Sequence, residues 1–123
     1  MKLHIETIKP PSATKNEDII YRIDIKDDLN FKNAEEFKFI ISSLINGGVK
    51  KIIIDINDLK EIDSMGIGSF IALKKSLPDE NLNIIITRGS DQIMTLFKPI
   101  NLDQIIKIFP TIDAGVNYLS SIK

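Results

Sequence analysis

The stretch Ile52-Ile53-Ile54-Asp55-Ile56-Asn57-Asp58-Leu59-Lys60-Glu61-Ile62-Asp63-Ser64-Met65-Gly66-Ile67-Gly68-Ser69-Phe70 changes its period halfway along. Its opening isoleucines are too continuous for a strand with one wet face. Lys51 to Ile56 therefore reads as a central strand buried on both sides, the usual state in a parallel sheet. After a polar turn the apolar residues recur at Ile67, Phe70, Ile71 and Leu77, close to the helical period. The spacing predicts a helix from Ser64 to Leu77, with Ser64 placed to cap it. Gly66 and Gly68 are poor residues for a helix start, each costing about 1 kcal/mol relative to alanine. Their bare backbone lets another surface come close, either a neighbouring strand or a separate protein.

Outward from this stretch the chain keeps alternating strand and helix. Leu3, Ile5 and Thr7 alternate with His4, Glu6 and Ile8, which predicts a first strand (residues 1–9) with one buried face. Residues 10–18, opened by Pro10-Pro11 and without an apolar anchor, read as a mobile loop. Ile19 to Ile25 alternates again and is expected to pair antiparallel with the first strand. Asp27 to Lys32 is a polar turn. Asn33 with Glu36 resembles a capping box, ahead of a helix bearing Ala34, Phe37, Ile40, Ile41, Leu44 and Ile45 and stopped by Gly47-Gly48.

Beyond the central stretch, Pro78 closes its helix, and Asn83 to Thr87 repeats the buried-strand pattern. A third helix follows Ser90 or Asp91 and ends at Pro99. A short strand is expected around Ile105 to Ile108, and Pro110-Thr111 opens a last helix with Ile112, Val116 and Leu119 inward. The order β-β-α-β-α-β-α-β-α makes one α/β domain over residues 1–123, a mixed sheet of about five strands with about four helices.

Composition narrows the function. The 123 residues carry 16 basic and 17 acidic side chains, net −1, so no electrostatic footprint for nucleic acid or an anionic membrane is expected. The absence of cysteine removes disulfides and thiolate chemistry and is compatible with a reducing cytoplasm. No signal-peptide block or membrane-spanning run is read, so a cytoplasmic location is expected. A catalytic site is hard to assemble: His4 is the sole histidine, and neither a Walker loop nor a dinucleotide fingerprint occurs. Asp55, Asp58 and Asp63 raise the thought of a metal or a receiver-type phosphoacceptor, but the companion residues of a receiver are lacking. The expectation is a protein that is no enzyme, with no metal and no cofactor of its own.

Asp63-Ser64-Met65-Gly66-Ile67-Gly68, behind an isoleucine-rich strand and the Asp58-Leu59 turn, resembles the signature of the STAS domain of bacterial anti-sigma factor antagonists. There the pattern is Asp-Ser, a small residue, then Gly-Leu-Gly. The β/α order is also similar to that family's, as is Thr95-Leu96-Phe97 followed by Leu102 and Ile105 to Ile108, with Asn101 where glycine is usual. Asp27-Asp28-Leu29-Asn30 stands where the family has Gly-Glu-Leu-Asp, and Met65 stands at the small-residue position.

The resemblance implies a transcription regulator working by protein–protein contact. Ser64 would be phosphorylated by a partner that is both anti-sigma factor and serine kinase, with ATP bound on that partner. The partner-binding residues would be Asp63, Ser64, Met65, Gly66 and Ile67, with Asp27, Asn30 and Asn33 on the neighbouring edge. On the residues alone, alternatives stay open. Ser64 reads as a cap or as a phosphoacceptor, Asp63 as a turn residue or as a group orienting Ser64, and Asp27, Asp28 and Asn30 as a solvated turn or a binding edge. Two rival functions stand beside the switch: a STAS scaffold or accessory subunit in another signalling or transport assembly, and a small α/β nucleotide-binding protein or enzyme.

Overall fold

A computed structural model describes residues 1–75 and 83–122. Among the described residues six strands are present: β1 (Lys2–Ile8), β2 (Ile20–Leu29), β3 (Lys51–Asp55), β4 (Leu59–Ile62), β5 (Asn83–Thr87) and β6 (Ile108–Phe109). Four α-helices of the described residues accompany them: α1 (Ala34–Asn46), α2 (Ser64–Lys75), α3 (Asp91–Phe97) and α4 (Ile112–Ser120). The main sheet runs β1-β2-β3-β5-β6. As the alternation predicts, β1 pairs antiparallel with β2, Leu3 opposite Ile25. The isoleucine runs of β3 and β5 lie parallel, Ile53 opposite Ile85.

The continuous isoleucines are explained by what covers them. On one face Ile23, Ile25, Ile52, Ile54, Ile56, Ile84 and Ile86 meet α1, α2 and α3. Each helix sends one ring inward: Phe70 lies edge-on between Phe37 and Phe97, with centroids 5.8 and 6.4 Å away, an arrangement aromatic quadrupoles favour. On the other face Ile20, Ile53 and Ile85 pack under Leu119 of α4. Because every β3 residue is buried, moving its register by one would exchange the two cores.

Several expectations need correction. Leu59 to Ile62 is a strand, not part of a polar turn. It pairs in parallel with the end of β2, Leu29 opposite Ile62, past a bulge at Asp27/Asp28. With only Leu59 and Ile62 inward and Lys60-Glu61 outward, it lacks the period-2 signature. The strand expected around Ile105 to Ile108 shrinks to Ile108–Phe109, because the N–H groups of Ile105 and Ile106 both donate to the Leu102 carbonyl in a tight turn. Ile106 reaches the core from that turn. β1 is an edge strand covered only at its ends, where Leu3 and Ile8 pack against the two cores, and Ile5 between them is 43% exposed.

Asn33 does not form a capping box. Its side chain instead accepts from the Asn30 N–H and donates to the Asp28 carbonyl, each at 2.9 Å. Gly48 stops α1 at φ 103°. Asn101 adopts the left-handed conformation expected where a glycine would serve (φ 51°, ψ 48°). Between β1 and β2, Pro10 is buried and the Asp18 carboxylate accepts from the N–H groups of Thr14 and Lys15. The Leu77 end of the second helix and its stop at Pro78 lie outside the described residues.

Candidate functional site

Two chain segments meet where β2 and β4 end. Leu29 and Ile62 are register partners, so the turn after β2 and the start of α2 emerge side by side. The Asp63 N–H donates to the Leu29 carbonyl at 3.3 Å. The Asp63 carboxylate then spans both segments: Oδ1 accepts from the Gly66 N–H and Oδ2 from the Phe31 N–H, each at 2.9 Å. Asp63, not Ser64, is therefore the cap of α2, satisfying a free donor of its first turn. The Gly66 N–H, then those of Phe31 and Met65, hold the Asp63 carboxyl below its ordinary value of 3.8 against a smaller opposing effect of burial.

With the cap taken by its neighbour, Ser64 becomes the first residue of α2 and stands exposed. Met65 beside it is 51% exposed and Ile67 half-buried against the core. The two glycines have separate roles. A Cβ on Gly66 would lie 2.4 Å from the Leu29 carbonyl oxygen and 2.8 Å from Ile62 Cγ1, so the surface approaching Gly66 is the molecule's own strand end. Gly68 is exposed with nothing within 4 Å of a Cβ, leaving bare backbone toward solvent.

The other expected site residues divide between surface and support. Asp27 is exposed at the bulge with φ 81°, 3.8 Å from Lys60 Nζ. Asn30 is half-buried and its Oδ1 accepts from the Lys32 N–H at 2.9 Å. Asn33, also half-buried, braces the turn from beneath. Phe31 was missed by sequence reasoning: it is 67% exposed, on the turn that Asp63 grips. The signal was an aromatic ring inside an otherwise polar turn. Phe31 and Met65 thus place exposed apolar surface on the two segments that Asp63 joins.

Among the described residues the remaining carboxylates form no group that could hold a metal ion. Asp55 is 1% exposed. It accepts from Thr87 Oγ1 (2.8 Å) and takes a two-pronged contact from Arg88, Nε at 2.9 Å and Nη2 at 2.8 Å. That pairing raises the Arg88 guanidinium above its ordinary value. Asp58 binds Lys26 Nζ at 2.6 Å. His4 sits on β1 opposite Asp24.

Comparison with known proteins bears on this geometry. The family model for the STAS domain matches residues 10–115. A Thermotoga neapolitana protein named for its homology to an anti-sigma factor antagonist is 29% identical over 101 residues, covering 81% of this chain and 88% of the relative. The anti-sigma-B factor antagonist of Staphylococcus aureus is 23% identical over 108 residues, covering 88% and 94%. A crystal structure of a Thermotoga maritima protein assigned to the anti-sigma factor antagonists superposes with a TM-score of 0.76 at 22% identity, covering 94% of this chain and 93% of that one.

Proposed function

Since this chain belongs to the STAS domain family, we propose that it is an anti-sigma factor antagonist whose binding to an anti-sigma factor kinase is controlled by phosphorylation of Ser64. The observation that carries the reading is the exposure of Ser64 on the first turn of α2, next to a carboxylate that holds α2 and the Phe31 turn together. The unmodified surface offers Phe31 and Met65 as apolar anchors, with the bare backbone at Gly68 alongside, and a partner covers them by close contact. A phosphoryl group adds close to two negative charges beside Asp63 and repels an acidic or close-fitting partner. The helix N-terminus tolerates that charge, so the fold persists. In this reading the protein performs no chemistry, acts in the cytoplasm, and leaves ATP to the kinase.

The test is incubation with ATP and the anti-sigma factor kinase of the same organism. Intact-mass measurement should find one added phosphoryl group, absent from Ser64→Ala. Titration calorimetry should find weaker binding for Ser64→Glu. Gly68→Trp should bind at least about tenfold more weakly, a loss of about 1.4 kcal/mol, with unfolding unchanged. No transfer in the parent protein refutes the switch. Met65, in place of a small residue, is the feature that favours the scaffold reading instead. Under that reading Ser64→Ala and the parent are indistinguishable in both measurements.

A further inference from the structure

At the far end of the sheet from Ser64 a cavity of about 300 Å³ opens between the 10–18 segment, the start of β3 and the end of α4. Its lining includes Pro10, Thr14, Asp18, Lys51, Ser120 and Ile122. Lys51 is the unusual member. Lysine is seldom buried unless paired, yet this side chain is only 7% exposed. Its Nζ donates to the Ile122 carbonyl at 3.2 Å, and Asp18 Oδ1 stands at 4.0 Å, beyond hydrogen-bonding distance. An ammonium has three donors, so among the described residues one is engaged. Ser120 Oγ in the same wall is buried and has no hydrogen-bond partner among the described residues.

Charge and shape narrow the ligand. Among the described lining residues, Lys51 and Lys15 against Asp18 leave one net positive charge, which suits a single negative charge better than two. Pro10 and Ile122 give the cavity an apolar side that a short hydrocarbon body can cover. The volume lies at the small end of the range for ligand sites. We propose that this cavity binds a small aliphatic monocarboxylate, its oxygens taking the free donors of Lys51. Asp18 is the competing counter-charge, and the site is independent of the switch at Ser64.

The experiment is a two-dimensional amide NMR titration of the whole chain with butyrate and, separately, with inorganic phosphate. Butyrate should give saturable shifts confined to residues 12–18, Lys51 and residues 120–122. Lys51→Met should weaken binding at least tenfold, and Asp18→Asn should tighten it severalfold, since asparagine keeps the carbonyl oxygen that the Thr14 and Lys15 N–H groups use. Lys51 as a mere clip for the end of α4 gives no saturable shift in the parent protein, an outcome that overturns the proposal even if Lys51→Met fails to fold. Equal affinity for phosphate, or an Asp18→Asn protein that binds butyrate more weakly, also overturns it.

Discussion

Replacing Gly66 and Gly68 separately by alanine should move stability in opposite directions, although two residues apart on one helix. At Gly68 the new methyl meets nothing within 4 Å. The helix gains alanine's propensity, about 0.8–1 kcal/mol. At Gly66 the same gain is set against a contact of 2.4 Å to the Leu29 carbonyl oxygen. Reaching even 3.0 Å needs a shift of about 0.6 Å, and both sides resist it. The carbonyl belongs to the end of β2, while Asp63 ties α2 to that same strand end. Overpacking of this kind costs about 1–3 kcal/mol. A rigid backbone atom puts Gly66→Ala near the upper figure, leaving a net loss of about 2 kcal/mol after propensity is counted. At this chain length 1 kcal/mol is worth about 4 °C in Tm. Gly66→Ala should therefore melt about 8 °C below the parent and Gly68→Ala about 3 °C above it, read by calorimetry and checked by urea unfolding. If Gly66→Ala is as stable as Gly68→Ala, the contact between α2 and the end of β2 is not where the structure puts it.

Acid should loosen the Asp63 clasp. Its folded pKa is depressed below 3.8, so its contribution is fully present above that value and lost as pH falls through the lower, folded one. The carboxyl carbon of Asp63 should titrate below 3.8, and the Phe31 and Gly66 amide shifts should follow the same curve. Asp58, held down by Lys26, and Asp18, held down by the Thr14 N–H, act in the same direction, so stability should be flat near neutrality and decline at the acid end. Asp55→Ala strands Arg88 and Thr87 at a site 1% exposed and should cost about 3 kcal/mol. That is the lower end for a broken buried pair, because Arg88 can partly rehydrate. Denaturant unfolding of Asp55→Ala, Arg88→Ala and the double variant should show strong coupling between the two. Asp27→Gly removes a side chain from a backbone at φ 81° and should stabilise by on the order of 0.5 kcal/mol, measured as a rise in the urea midpoint.

How much of this was legible depended on whether burial left a periodic trace. β3 and β5 are covered on both faces, so isoleucine runs announced them and even their parallel neighbourhood. β4 was illegible because two outward charges interrupt a strand of four residues, and its partner is the tail of β2, 32 to 33 positions upstream. Ile105 and Ile106 looked like strand because both are apolar, whereas the Leu102 carbonyl captures their N–H groups in a turn. At the site, the motif located the start of α2 to the residue but exchanged the roles at its mouth. Aspartate and serine both cap helices, and only the position of Phe31 shows that Asp63 has a second donor to hold. Propensity scales likewise treat Gly66 and Gly68 alike; what separates them is a carbonyl on another segment, which no local pattern reports.

The row of rings Phe37, Phe70 and Phe97 has a mechanical consequence. Three helices that share one interlocked aromatic spine cannot tilt independently, so α2 offers any visiting protein a stiff plate rather than a lever. On the proposed reading, a charge added at its tip would then act on the outside, in the electric field and contour of the tip itself and in the short turn leashed to it. The message stays skin-deep, and the interior keeps no memory of it.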